Sequence, residues 1–169
     1  MNLRYSIIET PLGDVFAVVN EAEVLAELHF LGSRTMENSV RRLEEFGHTL
    51  EWNKSALEAV RIQIGEYFGR KRREFDLPVH LEGTDFQRRV WNQLRRIGYG
   101  ETITYGELAF RVGAPKAARA VGRANAANPV ALVIPCHRVI GQAGKLTGYG
   151  GGIEIKRALL VFEGALSPE

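Results

Sequence analysis

The sequence predicts an α+β protein of two parts: a small N-terminal domain of sheet plus helices, and a mostly helical C-terminal domain containing a helix-turn-helix. Three observations predict this. Short apolar runs rich in β-branched residues fill positions 3–30, helical spacing follows them, and from Thr84 onwards the apolar pattern is helical. We therefore place the domain boundary just before Thr84, with domains of residues 1–83 and 84–169.

Three apolar runs, at residues 3–8, 15–19 and 24–30, predict a small antiparallel sheet. The segment Pro11-Leu12-Gly13-Asp14 supplies turn residues between the first two runs. A short strand near Leu77-Pro78-Val79 would complete the N-terminal domain.

Two helices are predicted after these strands. Residues 33–46 have helical spacing at Met36, Val40 and Leu43, and residues 56–68 show it again before Gly69, a suitable helix C-terminus. The basic cluster at residues 70–73 is predicted to form a loop.

In the second domain, Thr84-Asp85-Phe86-Gln87 is a capping box that opens a helix with one apolar face. A second capping box, Thr104-Tyr105-Gly106-Glu107, opens a short helix. Gly113-Ala114 then forms a turn, and Pro115 begins another helix, where its missing N–H costs nothing. Two short helices joined by a tight turn that contains Gly form a helix-turn-helix pattern.

Three segments complete the second domain. The apolar residues 130–134 follow Asn128-Pro129 and should be buried, residues 141–152 form a Gly-rich loop, and the last helix covers about residues 153–163. Gly-rich loops can bind nucleotides. A P-loop is excluded because Leu146 follows Gly144-Lys145, where that motif has Ser or Thr. A dinucleotide-binding motif is excluded because Ile153 occupies its last Gly position.

The composition is that of an ordinary globular protein, with 45% hydrophobic and 25% charged residues in 169. No stretch reaches the roughly 20 apolar residues of a membrane span, and the N-terminus lacks a basic region followed by an apolar one. We expect a cytoplasmic protein without a membrane partner. The single cysteine excludes an internal disulfide and a Cys₂His₂ or Cys₄ zinc site, so we expect no metal.

Charge is distributed unevenly along the chain. Residues 1–83 carry 10 Lys/Arg against 14 Asp/Glu, a net charge of −4, whereas residues 84–169 carry 12 against 6, a net charge of +6. This asymmetry favours a polyanion as partner of the C-terminal half, although such offsets also arise by chance.

Cys136 is the candidate nucleophile. It follows an apolar run and Pro135, and it precedes His137 and Arg138, two groups able to favour or form a thiolate. A lone cysteine is more often a small buried hydrophobe. A Cys–His protease or acyl transferase is a further alternative, but such pairs are usually remote in sequence, and the other histidines all lie in the acidic half.

Residues 128–139, which read NPVALVIPCHRV, resemble the active-site signature of the O6-alkylguanine-DNA alkyltransferases. The resemblance runs from about Thr84 to Gly164, and it includes the segments YGELA, KAARAVG and GY, the lysine at position 156 and the pair EG at the end. Residues 1–83 match the family only in general layout.

The resemblance implies a catalytic role for five residues. Cys136 would accept the alkyl group, and His137 would reach its sulfur through water while Glu163 holds the imidazole. Tyr105 would give a proton toward the guanine ring, and Lys156 would help to bind the base, so that guanine leaves as a neutral molecule. Taken alone, Tyr105 could be a core tyrosine, Lys156 a solvated helix residue and Glu163 an ordinary carboxylate in the last turn.

The resemblance also implies a DNA-binding surface on the helix predicted at residues 116–125. Small side chains would let that helix approach the minor groove, where base readout is degenerate, although they are equally typical of close helix packing. Arg119 would take the place of the extruded nucleotide, or would be a phosphate contact or an ordinary surface arginine. The residues assigned to this surface are Ala118, Arg119, Ala120, Gly122 and Arg123.

Four more residues complete the predicted DNA site. Asn128 resembles the family's hinge asparagine, whose side chain bonds the backbone between the recognition helix and the cysteine turn. Tyr149, Gly150 and Gly151 would lie in a loop over the flipped base. Relatives can carry serine where this sequence has Gly150, which leaves the fine substrate preference open.

The predicted function is direct, single-turnover repair of O6-alkylguanine in duplex DNA by transfer of the alkyl group to Cys136. The resemblance implies no metal or organic cofactor and a monomer that can cluster on DNA. The alternative is a DNA-binding protein that recognises lesions without chemistry. Relatives of that kind lack the cysteine, and this chain has it.

Overall fold

A computed structural model describes residues 1–168 and divides the chain into two compact units, Met1–Leu81 and the segment from Glu82 onwards. The first unit contains a four-stranded sheet and two helices, and the second is mostly helical. This is the predicted α+β fold class. Within residues 1–168, no helix has the length and apolar character needed to cross a membrane.

The sheet has the strand order β3-β2-β1-β4. Strands β1 (Asn2–Thr10), β2 (Gly13–Val19) and β3 (Leu25–Phe30) pair antiparallel, as predicted from the apolar runs. The edge strand β4 (Thr49–Trp52) pairs parallel with β1 and was not predicted, because it is short and three of its four side chains are exposed. The core under this sheet includes Leu3, Phe16, Val18 and Leu43.

The prediction of a strand near residues 77–79 was wrong. In place of a strand, the structure has an isolated β-bridge between Leu25 and Val79. The carbonyl of Pro78 accepts a bond from the Leu25 N–H at 2.9 Å, but Pro78 has no N–H with which to continue a ladder.

Helix α1 is Met36–Glu45 and helix α2 is Glu58–Phe68, which follows a 3₁₀ turn at Ser55–Leu57. Helix α1 begins later than the predicted residue 33 because Thr35 is the N-cap. The Thr35 side chain accepts the Asn38 N–H at 3.1 Å.

Up to residue 168, the second unit contains four α-helices and one pair of very short parallel strands. The helices are α3 (Asp85–Leu94), α4 (Tyr105–Arg111), α5 (Ala118–Ala126) and α6 (Ile153–Phe162), and the strands are β5 (Ile103–Thr104) and β6 (Val139–Ile140). Thr84 and Gln87 form the complete predicted capping box. At α4, Thr104 caps Glu107 as predicted, but the Glu107 carboxylate pairs with Arg111, so only half of the second box is present.

Helices α4 and α5 form the predicted helix-turn-helix, but Pro115 does not begin α5. A bond from the Ala117 N–H to the Ala114 carbonyl, 2.9 Å long, closes a separate turn, and Ala117 itself is not helical, with φ −107° and ψ 37°. Pro115 occupies the second position of that turn, which suits its fixed φ. The helix therefore starts at Ala118 rather than at residue 115 or 116.

The indole of Trp91 on α3 attaches α5 to the rest of the second unit. Its Nε1–H donates to the Ala124 carbonyl at 2.8 Å, and Trp91 is buried. Residues 130–134 are largely buried, as predicted, in a turn where Leu132 has φ 71°. A bulky residue in this left-handed region is strained, and the turn leads directly to the cysteine.

Candidate active site

Cys136 lies in a buried 3₁₀ turn, Cys136–Arg138, between the strained segment and β6. Its N–H donates to the Ile134 carbonyl at 2.8 Å, and the Arg138 N–H donates to the Pro135 carbonyl at 3.0 Å. The backbone around the sulfur is thus fixed by local hydrogen bonds.

Two asparagines hold this turn from the end of α5. Asn128 donates through Nδ2 to the Ile134 carbonyl at 2.7 Å and accepts the Val130 N–H at 3.0 Å, a hinge geometry of the kind implied by the resemblance. Asn125 donates to the Cys136 carbonyl at 3.4 Å and is only 3% exposed. Asn125 was not among the predicted site residues, although a polar residue on a helix face otherwise formed by Val121 and Ala124 was a detectable signal.

The His137 imidazole is fully buried and is oriented by Glu163, with 3.1 Å between Nε2 and Oε2. Its other nitrogen, Nδ1, has no hydrogen-bond partner among residues 1–168. Burial lowers the pKa of His137, and the neighbouring Glu163 carboxylate only partly opposes this effect. The neutral imidazole can therefore act as a base through Nδ1.

Arg138 has a different role from the predicted one. Its guanidinium binds both oxygens of Glu163 at 2.8 Å and the Ile97 carbonyl at 2.7 Å, so it neutralises a carboxylate rather than favouring a thiolate. Burial alone would raise the pKa of Glu163, but hydrogen bonds from Arg138 and His137 outweigh it and hold the pKa at about 2.

The Cys136 sulfur is not a thiolate by default. Burial raises the pKa of the Cys136 thiol, while hydrogen bonding with Asn128 and the charge of Lys156 act in the opposite direction with smaller effect. The thiol therefore has to lose its proton to a base before it can attack, and His137 is the adjacent residue in the chain.

A second group of polar atoms surrounds the Thr147 carbonyl. It accepts the Lys156 ammonium at 2.8 Å and the Tyr105 hydroxyl at 3.3 Å, and the ammonium lies 5.9 Å from the centre of the Tyr105 ring. Lys156 is buried, so it is not a solvated helix residue. Burial lowers the pKa of Lys156 to about 8, against the opposing effect of a negative charge on Cys136.

The β5–β6 pairing brings Tyr105 beside the loop that follows β6. The two strands are parallel, with Ile103 opposite Val139 and Thr104 opposite Ile140, so the residues that follow β5 lie near those that follow β6. No sequence pattern announces a two-stranded contact of this size. The resemblance supplied Tyr105 where the residue spacing alone could not.

Tyr149 lies in the loop before α6, together with the exposed Gly150 and the half-buried Gly151. The Tyr149 hydroxyl is buried without a hydrogen-bond partner among residues 1–168. Burial raises the pKa of this phenol well above its ordinary value, and negative charge on Cys136 and Glu163 adds to the effect. The hydroxyl therefore lies near the sulfur and the carboxylate.

Helix α5 presents Arg119, Arg123 and Ala118 to solvent, while Ala120 and Gly122 are half-buried. The guanidinium groups of Arg119 and Arg123 have no protein partner in the part of the chain that the structure describes. A Cβ at Gly122 would lie 3.7 Å from the Tyr105 ring, so this position packs against the predicted proton donor.

The structure thus brings one set of predicted residues together and leaves a second set on an open surface. The first set is Cys136, His137, Glu163, Tyr105, Lys156 and Tyr149. Arg119 and Arg123 lie on the exposed side of the helix whose buried side carries Asn125. Within residues 1–168, no three His, Cys, Asp or Glu side chains are arranged to hold a metal ion.

Two family models match the chain. Residues 3–81 match the ribonuclease-like domain of 6-O-methylguanine DNA methyltransferase, and residues 85–165 match the DNA binding domain of the same family. The methylated-DNA--protein-cysteine methyltransferase of Mycobacterium tuberculosis is 45% identical over 98% of this chain and 95% of its own length. The protein with the same name from Methanosarcina barkeri is 48% identical over 95% of this chain and 97% of its own.

A solved structure of Mycobacterium tuberculosis OGT in complex with DNA is similar to the chain, with a TM-score of 0.80 and 45% identity. The match covers 98% of this chain and 94% of that one.

Proposed function

The chain belongs to the 6-O-methylguanine DNA methyltransferase family, and from this we propose that it repairs O6-alkylguanine in duplex DNA by transferring the alkyl group irreversibly to Cys136. Direct repair by alkyl transfer to a protein cysteine is the function of this chain, because relatives named for that activity match it over nearly its whole length. The alternative of a non-catalytic lesion binder is thereby excluded. The observation that carries the proposal is the buried Cys136 beside a neutral His137 that Glu163 orients.

The transfer begins with the thiol proton. His137 takes it through Nδ1, directly or by way of a water molecule, and the resulting imidazolium is stabilised by Glu163 at 3.1 Å. The Cys136 sulfur then attacks the alkyl carbon, a C–S bond forms, and the bond between that carbon and O6 breaks with its electron pair remaining on the guanine.

The departing guanine requires a proton, because a neutral leaving group lowers the barrier to displacement. Tyr105 supplies this proton from its hydroxyl, and the buried Lys156 ammonium, 5.9 Å from the ring centre, stabilises the phenolate that forms. Lys156 is charged below its pKa of about 8, so it can provide this stabilisation at neutral pH.

The open surface of α5 binds the duplex in the minor groove. Arg119 enters the base stack in place of the flipped nucleotide, and Arg123, four residues later on the same helix, contacts phosphate. The small residues Ala118, Ala120 and Gly122 allow the helix to approach the groove closely, and Asn128 keeps the helix end in register with the cysteine turn.

The loop of Tyr149, Gly150 and Gly151 lies over the flipped base, and its backbone N–H groups contact the O6 atom where relatives can use a serine hydroxyl. The protein acts inside the cell, where its DNA substrate is, as a monomer that can cluster along the duplex. Its side chains carry both proton transfers, and no metal or organic cofactor takes part.

The test is the stoichiometry of repair with lesion DNA in excess. The product at Cys136 is a thioether, which unlike an acyl-enzyme has no carbonyl for water to attack, so one molecule of protein should repair one guanine and then be inactive. We expect a burst of repaired guanine equal to the molar amount of protein, with the added methyl group located by mass spectrometry on the peptide that contains Cys136.

The matched variant is Cys136→Ala, which should repair no guanine while retaining duplex binding in a gel shift, because α5 provides affinity and Cys136 provides chemistry. Steady release of several repaired guanines per molecule would contradict the proposal. Repair by Cys136→Ala, or a methyl group on another residue, would also contradict it.

A further inference from the structure

Thr147 contacts both side chains that handle charge on the departing base. Its carbonyl oxygen accepts the Lys156 ammonium at 2.8 Å and the Tyr105 hydroxyl at 3.3 Å, and its own hydroxyl donates to the Tyr105 oxygen at 3.4 Å. Thr147 is not among the predicted site residues, which include only Tyr149, Gly150 and Gly151 from this loop. These contacts connect the loop after β6 to α4 and α6.

The two lone pairs of the Thr147 carbonyl explain how it can serve two donors. In the free protein, the carbonyl holds the phenol proton of Tyr105 and one proton of the Lys156 ammonium. When the Tyr105 hydroxyl turns away to donate to the flipped guanine, the Lys156 ammonium remains hydrogen-bonded to the Thr147 carbonyl, so the carbonyl oxygen keeps a partner. The change of partner by Tyr105 therefore does not cost the full penalty of an unsatisfied acceptor.

The Thr147 hydroxyl acts on the phenol oxygen instead. A hydrogen bond donated to that oxygen stabilises the negative charge that develops on it as the proton departs. Loss of this donor should slow proton donation by Tyr105 without changing the ring, Cys136 or helix α5.

We propose that Thr147 is a positioning residue for alkyl transfer: its carbonyl aligns Tyr105 with Lys156, and its hydroxyl promotes proton donation by Tyr105. This inference rests on the proposed function, in which Tyr105 protonates the departing guanine. It assigns to Thr147 an effect that passes entirely through the phenol.

The experiment is a double-mutant cycle on the single-turnover rate with duplex DNA containing O6-methylguanine. Thr147→Val removes the hydroxyl and keeps the shape and the carbonyl, and it should slow transfer about fivefold, the value of one ordinary hydrogen bond. Thr147→Ser keeps the hydroxyl and should stay within about twofold of the wild type. In a Tyr105→Phe background, Thr147→Val should cause no further slowing.

The matched control is Thr102→Val, which removes a hydroxyl from a half-buried residue of the same unit, and this hydroxyl makes no hydrogen bond within residues 1–168. It should transfer at the wild-type rate, and melting temperatures of all variants show whether they fold. Equal slowing by Thr147→Val with and without the Tyr105 hydroxyl would overturn the proposal, because the residue would then only support the loop.

Two further outcomes separate this inference from the proposed function. If the wild type alkylates Cys136 but Tyr105→Phe is equally fast, the acid role of Tyr105 and the role of Thr147 are both wrong, while transfer to Cys136 stands. If the wild type leaves O6-methylguanine unrepaired, the proposed function itself fails, and the inference fails with it.

Discussion

At the residue scale, Glu163 determines the charges of the buried site. Its carboxylate accepts a hydrogen bond from His137 on one side and two from the Arg138 guanidinium on the other, and all three side chains are buried. Arg138 compensates the buried negative charge, so the carboxylate stays ionised without forcing His137 to become charged. In the proposed mechanism, the neutral His137 is then the base, and Glu163 stabilises the imidazolium that forms when His137 takes the thiol proton.

We predict that Glu163→Gln destabilises the second unit by on the order of 3 kcal/mol at pH 7, because it leaves Arg138 buried without a counter-charge. The pKa of Glu163 is about 2 in the folded protein against an ordinary 4.5, so its stabilisation is fully present above pH 4.5 and is lost as pH falls toward 2. The difference in free energy of unfolding between wild type and variant should therefore become smaller as pH falls from 4.5 toward 2. Urea unfolding at a series of pH values measures this difference.

Glu107→Gln is the control for this measurement. Its pair with Arg111 is exposed and lies within one helix, so its loss should cost about 0.5 kcal/mol or less. The quantity compared is the free energy of unfolding of the wild type minus that of Glu163→Gln. If this difference is absent at pH 7, or stays constant down to pH 2.5, the buried ion pair does not stabilise the fold.

At the scale of elements, helix α5 holds the cysteine turn with its buried face and leaves two arginines exposed on the other face. Its buried face carries Asn125, which donates to the Cys136 carbonyl at 3.4 Å, and its exposed face carries Arg119 and Arg123. Asn128, just beyond its end, fixes the preceding turn at the Ile134 carbonyl. In the proposed function, a displacement of the helix on DNA would therefore be transmitted directly to the backbone of Cys136.

The elements that the sequence could predict are those with local causes. Thr84 and Gln87 form a capping box in the structure as in the sequence, and the short apolar runs of β1 to β3 predict the sheet. By contrast, β4 exists because β1 offers it an edge, and Pro115 joins a turn because Ala117 bonds to Ala114. Such tertiary and turn contacts leave no periodic trace.

The same distinction holds in the active site. His137 and Arg138 are adjacent to Cys136 in sequence, which made both candidates for activating it. Only the fold shows that Arg138 reaches Glu163 and the Ile97 carbonyl instead. The partner of Thr147 is a distant phenol, which the sequence could not predict. Asn125 stood out as a polar residue on an apolar helix face, but its partner, the Cys136 carbonyl, was not predictable.

We predict that Arg119→Ala slows repair in duplex DNA at least about tenfold, because base flipping costs a few kcal/mol and the inserted side chain offsets part of it. Attack on free O6-benzylguanine needs no flipping and should change less than about twofold. Single-turnover rates on the two substrates test this expectation. Equal slowing on both would mean that Arg119 supports the fold or the pocket.

At the scale of the whole molecule, the net charge of +2 conceals two different surfaces. In the first unit several cations pair with carboxylates, among them Arg4, Arg42, Arg61 and Arg72. In the second unit, a set of exposed cations has no ion-pair partner within residues 1–168: Arg95, Arg96, Lys116, Arg119, Arg123, Lys145 and Arg157. A polyanion therefore meets uncompensated charge mainly on the second unit.

This distribution predicts where the salt dependence of DNA binding originates. Each phosphate neutralised by a cation releases counterions and adds about 0.9 to the slope of log affinity against log salt. With Cys136→Ala as the binding form, Arg123→Ala should lower that slope by about 1 and weaken binding to damaged and undamaged duplexes alike. Lys71→Ala removes an exposed cation from the first unit and should leave the slope unchanged.

Titrations at four salt concentrations between about 50 and 200 mM separate the two cases, because affinity changes steeply over that interval. If Lys71→Ala lowers the slope as much as Arg123→Ala does, the basic cluster at residues 70–73 also contacts phosphate, and the acidic half takes part in binding after all. If neither variant changes the slope, Arg123 does not contact phosphate, and the charge on this side of α5 does not contribute to the salt dependence of binding.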